Sequence, residues 1–127
     1  MTYKTKAVKC YESQIYIGNI NENTKEAFSQ DDVEKFIAYV QDGWEFIVPV
    51  RVSETVFISG KNYKEKGWEI SAISYPRLNL EWTEISDFMT HLASLLLDNF
   101  EQRRVSVVDN YHVVMLESDY FFKENVI

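Results

Sequence analysis

One segment constrains the fold of this chain more than any other: a regular spacing of large apolar side chains between residues 80 and 102. Apolar residues recur there at intervals of three and four, which places them on one face of an α-helix: Trp82, Ile85, Phe88, Met89, Leu92, Leu95, Leu96 and Phe100. Asn79 can cap the start of this helix. We therefore predict a helix from about residue 80 to 102 that buries a full face along its length.

A second, shorter helix is predicted directly after Ser29. Serine is a favoured N-cap residue, and the two aspartates that follow suit the positive end of the helix dipole. Gly43 supplies a stop signal at the other end. Between these signals, four apolar residues fall on one face: Val33, Phe36, Ile37 and Val40. We predict a short amphipathic helix that packs through this stripe.

Segments rich in β-branched residues predict the strands. The first, around Ile15 and Ile17, ends at Gly18. Three more follow the shorter helix, separated by Ser53-Glu54 and by the polar loop KNYKEKG: EFIVPVRV, TVFISG and WEISAISY. The last two, RVSVV and HVVML, form a hairpin around a turn at residues 109–111.

The elements follow one another in the order β-α-β-β-β-α-β-β. This order predicts an α+β fold with an antiparallel sheet of about six strands and two helices. A chain of 127 residues, 46% of them hydrophobic, fills one core but not two. We therefore expect a single domain over residues 1–127, with its core at about 10–117 and a C-terminal extension at 118–127.

Several strands carry apolar residues on both faces, as the alternation of Val105 and Val107 with Val108 illustrates. Both faces of the sheet therefore need cover. Either each helix covers one face, or both helices lie on one face and a second subunit covers the other. The extension SDYFFKENVI also carries adjacent aromatic residues, which favour docking over exposure. We expect a homodimer or a higher homo-oligomer.

The composition excludes several classes of partner. A net charge of -7 repels phosphate backbones, so duplex nucleic acid is not an expected partner. The single Cys10 forms no internal disulfide, and the first ten residues lack the apolar run of a secretory signal. No stretch approaches the roughly 20 apolar residues that cross a bilayer. We expect a cytoplasmic protein with no membrane association.

Residue types give little support for catalysis or metal binding. A structural zinc site needs four ligands, whereas the chain has one cysteine and two histidines, so no metal site is expected. Cys10, His112 and Asp109 can be arranged as a nucleophilic triad, but only their residue types suggest it. His91 lies beside the apolar stripe of the long helix, where a boundary histidine is the ordinary interpretation. With no glycine-rich phosphate motif either, we expect a protein that has no cofactor and is not an enzyme.

The four arginines are the best candidates for ligand contacts. Arg77 follows Tyr75-Pro76 before the long helix, with Trp82 one turn further on, and this combination suits a nucleotide-like anion. A solvated arginine beside a core tryptophan is the competing interpretation. Arg104 lies beyond the other end of the helix, about 31 Å away, so a ligand held by both arginines would lie between two chains. Arg51 is either an inward-facing anion ligand or an arginine at the sheet edge.

Four segments of the chain carry a resemblance to a known family: CYESQIYIGNI (10–20), VRVSETVFISG (50–60), SAISYPRLN (71–79) and QRRVSVVDNYHVVMLES (102–118). In this order they resemble the small phage proteins that counter Thoeris defence by sequestering its cyclic ADP-ribose-type signal. The resemblance covers about residues 10–117. It implies a non-catalytic sponge that binds a small cyclic nucleotide between subunits in the host cytoplasm. The ligand contacts that it implies are Tyr16, Ile17, Gly18, the Tyr75-Pro76-Arg77 junction and Arg104.

Two other hypotheses remain open. An acidic immunity or inhibitor protein would use the net charge of -7 to attract a basic toxin or enzyme. A small oligomeric enzyme would use Tyr16, His112 or Cys10 for acid–base or nucleophilic chemistry. Substrate turnover, recovery of an unchanged ligand and association with one basic protein distinguish the three classes.

Overall fold

A computed structural model describes residues 2–122 of the protein. In chain order, the helices and strands of these residues are β1 Glu12–Gly18, α1 Gln30–Asp42, β2 Arg51–Ile58, β3 Lys64–Ile73, α2 Trp82–Asn99, β4 Arg104–Asp109, β5 Val113–Glu117 and α3 Asp119–Phe122. A short 3-10 turn, Pro76–Leu78, precedes α2. The strands form one antiparallel sheet in the order β2-β3-β1-β4-β5, so β1 lies at its centre.

The α+β fold class predicted from the sequence is confirmed, with five strands and three α-helices in the described residues. The main difference lies at Ser53-Glu54, where the sequence predicts a turn and β2 instead runs straight through. Its partner β3 pairs with every residue of β2, so both polar residues belong to an unbroken ladder. The preceding residues 44–50 form no strand, and Pro49, which lacks a backbone N–H, lies among them.

The shorter helix α1 begins and ends where the sequence predicts. The Ser29 hydroxyl accepts a hydrogen bond from the Asp32 backbone N–H at 3.1 Å, and the Asp32 carboxylate accepts one from the Ser29 N–H at 2.9 Å. This reciprocal pair is a capping box, which satisfies donors that a helix start leaves free. Gly43 follows the last turn, and the helix buries Val33, Ile37 and Val40.

The longer helix α2 supplies much of the core. From Ile85 onward its buried residues follow the predicted spacing: Ile85, Phe88, Met89, Leu92, Ala93, Leu96 and Leu97. The predicted start was wrong, because Asn79 adopts a left-handed conformation with φ 54° that ends the 3-10 turn, Glu81 is the N-cap, and Trp82 is 43% exposed. The helix ends at Asn99, earlier than predicted, and Glu101 then adopts a left-handed conformation with φ 47° that turns the chain away from the helical path. Gln102 is thereby directed into the interior and is only 3% exposed.

Helices α1 and α2 pack on the same face of the sheet. The strand residues that face them are buried in one shared core: Ile15, Ile17, Trp68, Ile70, Ala72, Val105 and Val107. The opposite face presents half-buried and exposed side chains, among them Phe57 and Met115, which are 49% and 53% exposed. Of the two arrangements that the sequence permits, the chain adopts the one in which α1 and α2 leave a whole sheet face uncovered. We call this second side the open face.

Close approach of two central strands depends on one glycine. Gly67 of β3 lies opposite Gly18 of β1. A Cβ atom at Gly67 would lie 2.1 Å from the Ile17 carbonyl oxygen, far inside van der Waals contact. Because the obstacle is backbone within a paired strand, it cannot rotate away as a side chain does. The pairing of β1 with β3 at this point therefore requires glycine.

Replacing Gly67 by alanine is expected to lower the free energy of unfolding by about 3 kcal/mol, because the strands must separate to admit the methyl group. Chemical denaturation followed by tryptophan fluorescence measures this loss. The control is Gly43→Ala, where the added Cβ atom meets nothing closer than 3.7 Å. The control should change the stability by less than about 0.5 kcal/mol, and equal stabilities of the two variants would contradict the close approach.

Tyr11 fastens the start of β1 to the turn between β4 and β5. Its side chain is buried, and its hydroxyl donates a hydrogen bond to Asp109 Oδ2 at 2.9 Å. Asp109 Oδ1 in turn accepts the backbone N–H groups of Tyr111 and His112 at 2.7 and 2.9 Å. Burial above all, and the Asp109 carboxylate as well, raises the pKa of Tyr11 to about 12. The folded protein therefore holds this phenol in its neutral form.

This raised pKa predicts a specific sensitivity to alkali. The unfolded chain releases the Tyr11 proton near pH 10, whereas the folded protein keeps it until about pH 12, so stability is lost as the pH rises through this range. Between pH 9 and pH 11, the free energy of unfolding of Tyr11→Phe should fall by about 1 kcal/mol less than that of the parent protein. Tyr39→Phe is the matched control because that ring is 76% exposed. If the free energy of unfolding falls equally with pH in the parent and in Tyr11→Phe, the pKa of Tyr11 is not raised by folding.

Candidate functional site

A groove of about 800 Å³ lies on the open face of the sheet, and we call it the sheet groove. It sits where β1 ends and where β3 and β4 begin, and the loop after β1 completes its lining. A volume of this size is typical of small-molecule sites. Four of the ligand residues predicted from the sequence line it: Tyr16, Ile17, Gly18 and Arg104.

Aromatic side chains from separate parts of the sheet meet in the sheet groove. The rings of Tyr16 and Phe57 pack edge to face, with 5.4 Å between their centroids. Tyr63, from the turn between β2 and β3, lines the same groove and is exposed. Ring faces of this kind suit a planar base or a cation. The arrangement is therefore chemically matched to a nucleoside.

The hydroxyl of Tyr16 is held in its protonated form. Tyr16 lies directly opposite Glu69 across the β1–β3 pair. Partial burial and the neighbouring Glu69 carboxylate both raise the pKa of Tyr16 above its ordinary value. At neutral pH this hydroxyl is thus a hydrogen-bond donor and not a base.

Four cationic side chains line the sheet groove of a protein whose net charge is -7: Lys64, Lys66, Arg103 and Arg104. Arg103 Nε lies 3.2 Å from Glu22 Oε2, and Arg104 Nε lies 3.1 Å from Glu117 Oε2. A hydrogen bond from Lys25 and another from Arg103 lower the pKa of Glu22, although partial burial opposes the shift. Both arginine pairs face solvent, so each stabilises the fold little, and an anionic ligand can compete for the guanidinium groups.

The described part of the C-terminal extension packs against these arginines within the same chain. Helix α3 places the Phe121 ring centroid 5.2 Å from the Arg103 guanidinium carbon, and the Phe122 centroid 4.6 Å from that of Arg104. Each contact is of the cation–π type and limits the motion of the arginine. Residues 123–127 of the extension lie outside the described residues.

The other four predicted ligand residues do not line the sheet groove: Arg51, Tyr75, Arg77 and Trp82. Arg51 lies opposite Ser71 at the start of the edge strand β2 and is exposed. Arg77 lies beyond the far end of β3, a ten-residue strand that spans about 30 Å. Within one chain the predicted residues therefore divide between two ends of the sheet. A ligand that contacts both Arg77 and Arg104 would still require a second chain.

Carboxylates already occupy the start of α2, where the sequence suggests an anion site. The Glu84 side chain accepts a hydrogen bond from the Glu81 backbone N–H at 2.8 Å, one residue before the helix begins. Nearby, the Arg77 guanidinium carbon lies 5.8 Å from the Tyr75 ring centroid. A phosphate bound at this helix start would meet the glutamate charges, which oppose it.

Three aromatic rings form a cluster at the end of the sheet where β1 begins and β3 ends, which we call the far end. Their centroids lie 5.2 to 6.2 Å apart: Tyr11, Trp82 and Tyr111. The triad considered from residue types also falls here, and His112 Nδ1 lies 3.1 Å from Asp109 Oδ1. That carboxylate, however, is engaged by Tyr11 and by the backbone of the turn. Between residues 2 and 122, no hydrogen bond joins Cys10 to His112. The far end is held together as a structural cluster.

In residues 2–122, the histidine of α2 is engaged in an aromatic contact. His91 stacks on the Trp44 ring, with 4.7 Å between centroids. Across the described residues, no group of three or more histidine, cysteine, aspartate or glutamate side chains is placed to hold a metal ion. Within the same part of the chain, no helix has both the length and the apolar character to cross a membrane.

Sequence reasoning missed several residues that line the sheet groove: Phe57, Tyr63, Lys64, Lys66 and Gln102. A signal for three of them was present in the segment KNYKEKG, which carries a tyrosine and lysines. The sequence predicts a loop there, but residues 64–67 belong to β3 because they pair with β2. The part of β1 that this hairpin approaches is set by the register of β1 against β3, which pairs Tyr16 with Glu69. No local pattern encodes that register.

Comparison with known proteins places the fold. No protein-family model matches the sequence, and no curated protein matches it. A phage SAM lyase in complex with S-methyl-5'-thioadenosine (MTA) is similar in structure, with a TM-score of 0.69 and 15% sequence identity over 94% of this chain and 98% of that chain. A phage SAM lyase in the apo state has a TM-score of 0.65 and 14% identity over 93% of this chain and 98% of that chain.

At this level of identity, the likeness establishes the fold. It also overturns the expectation that the chain is not an enzyme, because proteins with this fold are named as lyases. That expectation was wrong because it relied on the absence of a paired catalytic motif. Both solved structures are phage proteins by name, and neither is named as a sponge of a cyclic ADP-ribose-type signal.

Proposed function

We propose that the sheet groove binds S-adenosylmethionine (SAM) and that the protein cleaves a carbon–sulfur bond of SAM to release MTA. One observation carries this proposal. A groove of about 800 Å³, with an aromatic and charged lining, lies on a fold shared over 94% of this chain with an MTA-bound SAM lyase. Few side chains are shared at 15% identity, so the chemistry of this groove must itself suit SAM.

The lining offers a partner for each part of SAM. The adenine ring and the sulfonium cation both favour aromatic faces, which Tyr16, Phe57 and Tyr63 supply. The Tyr16 hydroxyl, which stays neutral beside Glu69, accepts a hydrogen bond from a ribose hydroxyl. The methionine carboxylate matches the guanidinium group of Arg104 at the basic side of the groove. Bound in this way, the substrate spans the groove from its aromatic side to its basic side.

The proposed reaction consumes no water molecule. A carboxylate oxygen of the methionine part attacks the Cγ atom of the same molecule, the bond from Cγ to sulfur breaks, and its electron pair passes to sulfur. The products are homoserine lactone and neutral MTA, so atoms and charges balance without a proton transfer. Opposite charges disappear during this step, which is therefore favoured when SAM moves from water into a drier site. The residues of the groove need only bind the substrate, fold it onto itself and exclude water.

The proposed reaction fits the anti-defence role that the sequence resemblance implies, but it acts by a different mechanism. The two solved neighbours are phage proteins. In the host cytoplasm, cleavage of SAM removes the methyl donor on which methylation-dependent defence relies. The proposed protein destroys a small adenosine-containing metabolite, whereas the sequence resemblance implies that such a molecule is sequestered intact.

We extend the proposal to a homo-oligomer whose neighbouring chain closes the sheet groove. The groove lies on the open face, and Val113 and Met115 at its edge are 67% and 53% exposed. They belong to β5, an edge strand with a free side for pairing in the described sheet. Exclusion of water from bound SAM requires cover over these side chains. A second copy supplies it while burying exposed apolar surface.

Incubation of the purified protein with SAM should produce MTA and homoserine lactone in equal amounts over many turnovers, as measured by chromatography. Tyr16→Ala should lower kcat/KM at least about tenfold, because an aromatic stack on a base is worth roughly 1–3 kcal/mol. Tyr39→Ala is the control, since that ring lies on α1 outside the groove lining and is 76% exposed. The control should keep the parental kcat/KM.

Three other results would count against this assignment. Retention of a cyclic ADP-ribose-type nucleotide that is released unchanged on heating, with SAM left intact, would contradict cleavage. Stable association with one basic protein, and no effect on either nucleotide, would favour the acidic inhibitor. Parental activity in Tyr16→Ala would leave the reaction standing but remove the sheet groove as its location.

The oligomer is tested by light scattering, which should give a multiple of the 15.0 kDa chain mass. Met115→Glu should shift the mass toward that of one chain and lower SAM cleavage in parallel, because a charge in an apolar contact opposes association. Ile47→Glu is a matched control, since Ile47 is also 53% exposed but lies outside the sheet groove. A mass of 15.0 kDa at every concentration would reject the oligomer.

A further inference from the structure

Gln102 is a buried polar residue to which the proposed reaction assigns no part. It lies between the end of α2 and the start of β4, at the inner side of the sheet groove. Its side-chain Oε1 accepts a hydrogen bond from the Gly18 backbone N–H at 2.9 Å. Its Nε2 donates to the carbonyl oxygens of Ile20 and Phe100 at 2.9 and 3.0 Å. One amide thus joins the end of β1, the following loop and the end of α2.

These bonds lie at the point where the β1–β4 ladder ends. The ladder between β1 and β4 ends at the pair Tyr16 and Ser106, while β1 continues to Gly18. Beyond that pair, the Gly18 N–H binds the Gln102 side chain on the side where β4 would otherwise supply a partner. Gln102 therefore replaces a strand at the point where β1 and β4 part to form the sheet groove.

The bonding pattern at this position requires the chemistry of an amide. Glutamate has the same shape but no N–H, so it would direct an oxygen at two carbonyl oxygens. Methionine has a similar length but forms none of the three hydrogen bonds. The glycine is matched to the amide as well, because a Cβ atom at Gly18 would lie 3.2 Å from Gln102 Oε1.

We propose that Gln102 is a positioning residue, which holds the backbone of residues 18–20 in the place where the nucleoside part of the ligand rests. Gly18, Asn19 and Ile20 all line the sheet groove. The inference rests on the proposed function, since MTA is the ligand that reports on this position. A purely structural role for Gln102 predicts a loss of stability alone. A positioning role predicts a loss of affinity in protein that is still folded.

The test compares Gln102→Glu with Gln41→Glu. Gln41 of α1 makes a similar contact, since its Nε2 donates to the Val48 carbonyl oxygen at 2.9 Å, but neither of these residues lines the sheet groove. Thermal unfolding is measured for both variants, and MTA is then titrated calorimetrically well below the unfolding midpoints. Both variants should lose thermal stability. Gln102→Glu should bind MTA at least about tenfold more weakly, while Gln41→Glu should keep the parental affinity.

Gln102→Met is the second variant, and it is expected to show the same loss of affinity without introducing a charge. It provides the measurement if Gln102→Glu does not fold. Parental MTA affinity in a folded Gln102 variant would overturn this inference and leave the proposed function intact. If the parent chain binds neither MTA nor SAM, the proposed function fails and this inference fails with it.

Discussion

Packing of α2 against β1 and β4 sets the arrangement of the other elements. The buried face of this helix lies over β1 and β4, and α1 adds its own apolar stripe to the same layer. Because this helical layer covers one face of the sheet, it determines which strand residues are buried. The alternate residues then point to the open face, where polar, charged and aromatic side chains remain available for a ligand.

The sheet groove exists because neighbouring strands part at one end of that face. The β1–β3 ladder continues to the pair Gly18 and Gly67, whereas the β1–β4 ladder stops at Tyr16 and Ser106. The backbone groups released by this divergence require other partners, since buried donors without partners are costly. The cations around the opening also reverse locally the negative charge of the whole chain. Net charge alone therefore gave no guide to the electrostatics of this groove.

Local signals predicted the two longer helices, α1 and α2, because apolar spacing can be read from neighbouring residues. Ser29 caps α1 as its sequence context predicts, and the spacing of three and four along α2 leaves one buried face. The strand count differed at Ser53-Glu54, where polar residues typical of a turn are held in β2 by pairing with β3. The expectation that the chain is not an enzyme was wrong for another reason. A missing motif excludes only the reactions that need that motif, and lyases with this fold show that the inference was too broad.

Local patterns in the sequence were enough to predict the α+β class, the two long helices and the strand-end position of Tyr16 and Gly18. The folded arrangement of the chain shows which distant residues meet: Arg104 lies with Tyr16 in the sheet groove, while Arg77 lies at the other end of the sheet. It also decided that α1 and α2 share one face and leave the other open. The physical reason is that periodicity and capping are properties of neighbouring residues, whereas strand order and register arise from competition among pairings between residues far apart in the chain.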